Sequence, residues 1–114
     1  MKIAVVTGAA QGLGFATSRR LARRGYEVLM TDLQPLDAAS EALQRDGLRV
    51  HTLCGDVASE PFVRELAARV ARDFGAPDAL VNNAGISMIV PAEQTTLEQW
   101  QRVMNVNLTG PFLL

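Results

Sequence analysis

The sequence predicts an α/β domain, a parallel sheet with flanking helices that stops after a fourth strand and the helix following it. Short apolar runs alternate with longer amphipathic ones. The short runs are nearly continuous, as suits strands buried on both faces of a parallel sheet. The first of them ends in a glycine turn that opens a helix. Strands alternating with helices imply βαβ units joined by right-handed crossovers.

Ile3 to Thr7 is the first strand, and Gly12 to Arg24 the first helix, stopped by Gly25. Its expected buried stripe is Leu13, Ala16, Thr17 and Leu21, which leaves Arg19, Arg20, Arg23 and Arg24 as a solvated face. A phosphate-binding role for one arginine is the alternative. Glu27 to Thr31 is the second strand, Leu36 to Arg45 a helix ending near Gly47, and Arg49 to Cys54 the third strand. Ser59 caps the next helix with Pro61 in its first turn. There Phe62, Leu66, Val70 and Phe74 recur at intervals of four, and Gly75 ends the helix. Ala79 to Asn82 is the fourth strand, followed by a loop through Pro91. Thr95 and Glu98 have capping-box spacing before the last helix. On that helix Leu97, Trp100, Val103, Met104, Leu108 and Pro111 gather on one side, and Glu98, Gln101, Arg102 and Asn105 on the other. No repeat, low-complexity stretch or linker interrupts the pattern.

The 114 residues allow one domain and one core. Hydrophobic residues at 48% and charged ones at 20% argue against disorder. A net charge of −1 offers no field for nucleic acid or an anionic membrane, and neither partner is expected. No run approaches the roughly 18 apolar residues of a membrane span, and the start is too short for a signal peptide. A cytoplasmic location is the default expectation. Cys54, the single cysteine, is expected as a small buried side chain rather than a nucleophile or metal ligand.

The turn reads Thr7–Gly8–Ala9–Ala10–Gln11–Gly12–Leu13–Gly14. Gly8 permits the sharp exit from the strand, Gly12 a close backbone approach to a pyrophosphate, and Gly14 close seating of the helix on the sheet. The helix N-terminus adds free N–H groups and a positive dipole end. Alone, such a triplet is also compatible with a plain tight strand–helix connection. Its G-x-x-x-G-x-G spacing after threonine resembles the short-chain dehydrogenase/reductase family, whose fold is of the Rossmann type. Methyltransferase relatives of that fold tend to carry an acid before the first glycine, and the extended sugar epimerases space theirs G-x-x-G-x-x-G. Neither pattern fits.

The resemblance covers the whole chain and implies a nicotinamide cofactor held by Gly8, Gln11, Gly12, Leu13 and Gly14. Asp32 ends the second strand, about 20 residues beyond the glycines, where a carboxylate accepts from the adenosine ribose and repels a 2′-phosphate. Its alternative is a turn residue before Pro35. Leu33 and Gln34 follow without arginine, and position 11 is Gln where NADP-preferring relatives often carry a basic residue. The implied cofactor is NAD in preference to NADP. By the same resemblance Asp56 and Val57 recognise the adenine edge, a role compatible with Asp56 shaping the loop into the helix. Asn82–Asn83–Ala84–Gly85 matches the family's N-N-A-G. Asn83, Ala84 and Gly85 would lie against the cofactor ribose, while an asparagine ties neighbouring strand ends together.

Asn107 falls on the apolar side of the last helix, where an unpaired polar group costs roughly 1–3 kcal/mol. Pro111 has no N–H to give the Asn107 carbonyl four residues earlier. A kink at Gly110–Pro111 filled by water is the plain explanation. Asn107–Leu108–Thr109–Gly110 resembles the family segment whose asparagine belongs to the catalytic tetrad, its carbonyl holding a water of the proton relay. That implies a catalytic role for Asn107.

The rest of the tetrad is a serine and a tyrosine followed four residues later by a lysine, which lowers the tyrosine pKa and binds the nicotinamide ribose. Tyr26 is followed at that distance by Met30, Lys2 is the only lysine, and Ser18, Ser40, Ser59 and Ser87 lie in other segments. None takes those roles. The apolar end Phe112–Leu113–Leu114 leads us to expect an N-terminal portion of one longer domain, with residues 1–114 its cofactor-binding part and a companion C-terminal portion elsewhere. The implied parent is an NAD-dependent oxidoreductase of alcohols or carbonyls, EC 1.1.1-like and homo-oligomeric, whose isolated N-terminal part is inactive. Met88 and Ile89 would wall its substrate pocket. A nucleotide-binding module without catalysis, acting as sensor or assembly partner, is the rival, and a ligand-free structural domain the third reading.

Overall fold

The computed structural model describes residues 1–114. Strands β1 (Lys2–Thr7), β2 (Tyr26–Asp32), β3 (Val50–Cys54) and β4 (Ala79–Val81) form one parallel sheet in the order β3-β2-β1-β4. Helices α1 (Gly12–Arg23), α2 (Asp37–Arg45) and α3 (Glu60–Asp73) make the crossovers. Beyond β4 come a 3-10 turn at Ala92–Gln94, α4 (Leu97–Met104), a π-helical turn at Asn105–Thr109 and α5 (Gly110–Leu113). No helix is long and apolar enough to cross a membrane.

Strand periodicity divides the core. Ala4, Val6, Val28, Met30 and Val50 pack with Ala22, Ala39 and Leu43 of α1 and α2. Val5 and Leu29 turn the other way, to Phe62, Leu66 and Val70 of α3. The central strands β1 and β2 are thus covered on both faces, which is why their sequences read as continuous apolar runs.

The inner face of α1 differs from expectation. Gly14, Ser18 and Ala22 are buried, while Leu13 is 80% exposed and Ala16 is also exposed. Small residues fill the line of closest approach, Phe15 and Leu21 pack partly buried against the same core, and Ser18 Oγ satisfies itself on the Gly14 carbonyl at 2.8 Å. Arg19, Arg20, Arg23 and Arg24 are exposed, as expected of a solvated face. Cys54 is also exposed rather than buried, because it ends the edge strand β3; its Sγ donates to the Gln34 carbonyl at 3.0 Å.

Ser59 caps α3 as expected, accepting from Phe62 N–H. The capping box of α4 lies one residue later than its expected place. Thr96 Oγ1 accepts from Gln99 N–H at 3.1 Å, and Gln99 Oε1 accepts from Thr96 N–H at 3.0 Å. Thr95 is engaged elsewhere, its hydroxyl donating to the Pro91 carbonyl. Thr96→Ala is therefore expected to lower stability by about 1 kcal/mol in urea unfolding, while Glu98→Ala leaves the midpoint nearly unchanged.

The apolar side of the last helix is not the buried one. Leu97 is 72% exposed, Trp100 58% and Leu108 60%, whereas Val106 and Gly110 are buried. The segment sits on the rest of the chain through Arg102, Val106 and Gly110 and through Leu114, while Leu97, Trp100 and Leu108 face outward and Val103, Met104 and Pro111 are half-buried.

Candidate functional site

The strand order turns back between β1 and β4, and at the carboxyl edge of the sheet this leaves a crevice. An open cleft of about 290 Å³ lies there, lined by the residues that follow all four strands. Gly8 and Gln11 come from the β1–α1 turn, Asp32 and Leu33 from the end of β2, Asp56 and Val57 from the β3–α3 loop, and Asn83, Ala84 and Gly85 from the segment after β4. Nine residues chosen from the sequence thus meet in one place. Gly12, Leu13 and Gly14 form the adjoining start of α1 and are not among the lining residues.

The three glycines serve different geometric needs. Gly8 turns with φ +65°, and a Cβ on it would stand 2.8 Å from Asn83 Nδ2 and 2.9 Å from Ala84 Cα. A Cβ on Gly14 would strike the Gly8 carbonyl oxygen. The close approach assigned to helix and sheet is therefore helix against turn. Gly12, at φ +59°, has no atom within 4 Å of where its Cβ would be. Its backbone faces open space.

Thr7, whose side chain no motif marks, holds the crevice together. Its Oγ1 accepts from Asn83 N–H at 3.0 Å and Ala84 N–H at 2.9 Å. Asn83 Nδ2 returns two bonds, to the carbonyls of Thr7 and Gly8, each 3.1 Å. The asparagine amide ties β1 to the segment after β4, as expected. A buried threonine at a strand's last position was the available signal, since its hydroxyl must find partners.

Asp32 combines both roles considered for it. Its Oδ2 accepts from Ala10 N–H and its Oδ1 from Gln34 N–H, both at 2.9 Å, so the carboxylate braces two turns while lining the cleft. Each oxygen keeps a further lone pair for a ligand. Asp56 is held likewise, Oδ1 by Ala58 N–H at 2.9 Å and Oδ2 by Arg102 Nη1 at 2.8 Å. Arg102, expected on the outer face of α4, instead reaches the cleft. Gln34, Gly55, Ile86 and Val106 are further lining residues that the motifs did not mark.

Asn107 finds its partner in Ile86, directly after Asn83–Gly85. Its Oδ1 accepts from Ile86 N–H and its Nδ2 donates to the Ile86 carbonyl, both at 2.8 Å. The residue is exposed, not set in a buried apolar side, yet its amide is fully committed. The helical irregularity is also placed differently. The chain continues as α5 through Gly110–Pro111, and the π turn with Asn107 inside lies just before it, Gly110 N–H donating to the Asn105 carbonyl.

A model of the short chain dehydrogenase family matches residues 2–114. An oxidoreductase of Thermotoga maritima, named as uncharacterized, is 36% identical over 114 residues, which are 98% of this chain and 44% of that protein. The D-threitol dehydrogenase of Mycolicibacterium smegmatis is 39% identical over 115 residues, 99% of this chain and 44% of the relative. A metagenomic short-chain oxidoreductase, solved in complex with NADP, superposes with a TM-score of 0.93 at 32% identity, over 99% of this chain and 52% of its own. The chain spans less than half the length of these curated relatives.

Proposed function

Because the chain belongs to the short-chain dehydrogenase family, we propose that the protein carrying it is an NAD-dependent oxidoreductase that interconverts an alcohol and a carbonyl. The observation that carries the cofactor half is the convergence of Gly8, Asp32, Asp56 and Asn83–Gly85 on one cleft beside the start of α1. That helix has no side-chain cap on Gln11 and no acid in its first turn, so its positive end is uncompensated. The open backbone at Gly12 leaves room for an anion there. These features fit a pyrophosphate held by backbone N–H groups of Gly12, Leu13 and Gly14.

Asp32 would accept from the adenosine ribose hydroxyls, and its charge would oppose a 2′-phosphate. Asp56 and Val57 would meet the adenine edge, and Ala84 and Gly85 the nicotinamide-side ribose. When bound, the nicotinamide ring supplies or accepts the hydride. Through its amide, Asn107 holds Ile86 beside that end of the cleft, and its carbonyl would hold a relay water. The tyrosine and lysine that complete the chemistry are absent from these residues, so this chain alone should bind the cofactor without turning over substrate. The 114 residues are in this reading the cofactor-binding part of one longer domain. The exposed Leu97, Trp100 and Leu108 suit a homo-oligomeric contact.

Fluorescence titration with NADH and NADPH tests the cofactor assignment. The expected result is NADH binding tighter by about tenfold or more, a difference of roughly 1.4 kcal/mol. Tighter NADPH binding overturns it.

A further inference from the structure

The geometry points to Arg102 as a positioning residue for the adenine end of the cleft, an inference that rests on the dinucleotide reading above. Three charged side chains line the cleft, Asp32, Asp56 and Arg102, and Arg102 is the only cation among them. Its Nη1 reaches Asp56 Oδ2 at 2.8 Å from 46 positions away in sequence. Ala58 N–H already fixes the other oxygen. The local backbone thus sets one end of the carboxylate and Arg102 the other, which leaves Asp56 a single orientation toward the cleft.

The contact is built into the seating of the last helical segment. Val106 and Gly110 follow Arg102 at intervals of four, and a Cβ on Gly110 would stand 3.0 Å from Val57 Cγ2. Arg102 therefore reaches Asp56 from a strip already docked on the neighbouring residue. The π turn falls within this strip. Positions four apart share one side of a helical segment, so Arg102, Val106 and Gly110 form a single line across the turn.

Charge gives the pair a second task. Without Arg102, two carboxylates would face a ligand whose own phosphates are anionic. The side chains are 41% and 30% exposed, so solvent screens the pair and its influence is moderate. Arg102 orients the Asp56 acceptor and offsets its charge, and both effects act on the adenylate half of the ligand.

Fluorescence titration of the protein with NADH and with reduced nicotinamide mononucleotide, which lacks the adenylate, separates this role from a merely structural one. Competition by ADP-ribose completes the set. Arg102→Met is expected to weaken NADH and ADP-ribose about fivefold and to leave the mononucleotide unchanged. Arg102→Lys should recover part of the loss. In an Asp56→Asn background Arg102→Met should add little, since the pair is broken already. Asp56→Asn alone loses the adenine acceptor together with the pair and should weaken NADH and ADP-ribose at least as much, so Arg102→Lys is the variant that carries the test where Arg102→Met does not fold. Equal weakening of NADH and the mononucleotide, or additive losses in the double variant, overturns the inference. Unsubstituted protein that binds neither NADH nor ADP-ribose overturns the dinucleotide reading itself. Normal NADH binding by both the unsubstituted protein and Arg102→Met overturns the role of Arg102 alone.

Discussion

Gly14→Ala is expected to destabilise the protein by about 1–3 kcal/mol, whereas Gly12→Ala is expected to fold and to weaken the proposed NADH binding. The two glycines stand two residues apart, and a sequence motif treats them alike. Their surroundings differ. A Cβ on Gly14 meets the Gly8 carbonyl oxygen and comes within 2.6 Å of Asn83 Nδ2. The first is backbone, so relief requires the turn or the start of α1 to move. The second is the amide that ties Thr7 and Gly8 to the segment after β4, so any shift there loosens the cleft. Against a total stability of about 5–15 kcal/mol, such a loss is large. Gly12 has the opposite problem. Its φ of +59° makes alanine costly by roughly 1–2 kcal/mol, but no atom lies near the added methyl. The methyl enters only the space where the pyrophosphate is proposed to lie, and NADH affinity should fall about tenfold or more, at least 1.4 kcal/mol. Urea midpoints and NADH titrations on both variants check the pair. Gly14→Ala as stable as the parent would refute the turn contact, and Gly12→Ala binding NADH normally would remove the pyrophosphate from this turn.

That contrast indicates what could be read from the residues and what could not. Strands β1 to β4 and helices α1 to α3 were legible because each is specified locally, by an apolar run or by a glycine or cap at its ends. The convergence of Gly8, Asp32, Asp56 and Asn83 was legible too, because a parallel sheet brings all its strand ends to one edge. The failures concern faces. The stripe Leu13, Ala16, Thr17 and Leu21 was favoured by hydrophobicity, yet the close approach of α1 to its neighbours selects size, and Gly14–Ser18–Ala22 forms the inner line with Leu21 only partly buried beside it. On the last helix, counting large apolar residues pointed to Leu97, Trp100 and Leu108, all of them exposed. The π turn breaks the regular wheel, and the buried strip through Val106 and Gly110 carries Arg102 inward. A helical wheel centred on the small residue Gly110 would have found it. Thr96 displaced Thr95 as cap because Thr95 was held by the preceding 3-10 turn, a competition that spacing alone cannot register.

Asp32→Asn should collapse the proposed preference for NADH over NADPH, and the reason can be separated from damage to the fold. The carboxylate accepts two backbone N–H bonds, from Ala10 and Gln34. Asparagine keeps one acceptor oxygen and sets an NH2 group against the other donor, so stability falls by about 1–3 kcal/mol. The same change removes the negative charge. A ribose hydroxyl then loses a charge-assisted acceptor, which is roughly twice as strong as a neutral one. A 2′-phosphate no longer meets a like charge. NADH affinity drops while NADPH affinity rises, moving their ratio by about tenfold or more, equivalent to 1.4 kcal/mol. Loosening of the turn would instead weaken both ligands together. Leu33→Arg supplies the complementary arm. Leu33 is exposed, lines the cleft and follows Asp32 directly. Its apolar side chain makes no hydrogen bond to lose, so the variant should unfold at the parent's urea midpoint and still gain affinity for NADPH. If Asp32→Asn retains the full NADH preference and Leu33→Arg leaves NADPH binding unmoved, the adenosine ribose lies elsewhere. Asp32 would then be only the brace between Ala10 and Gln34.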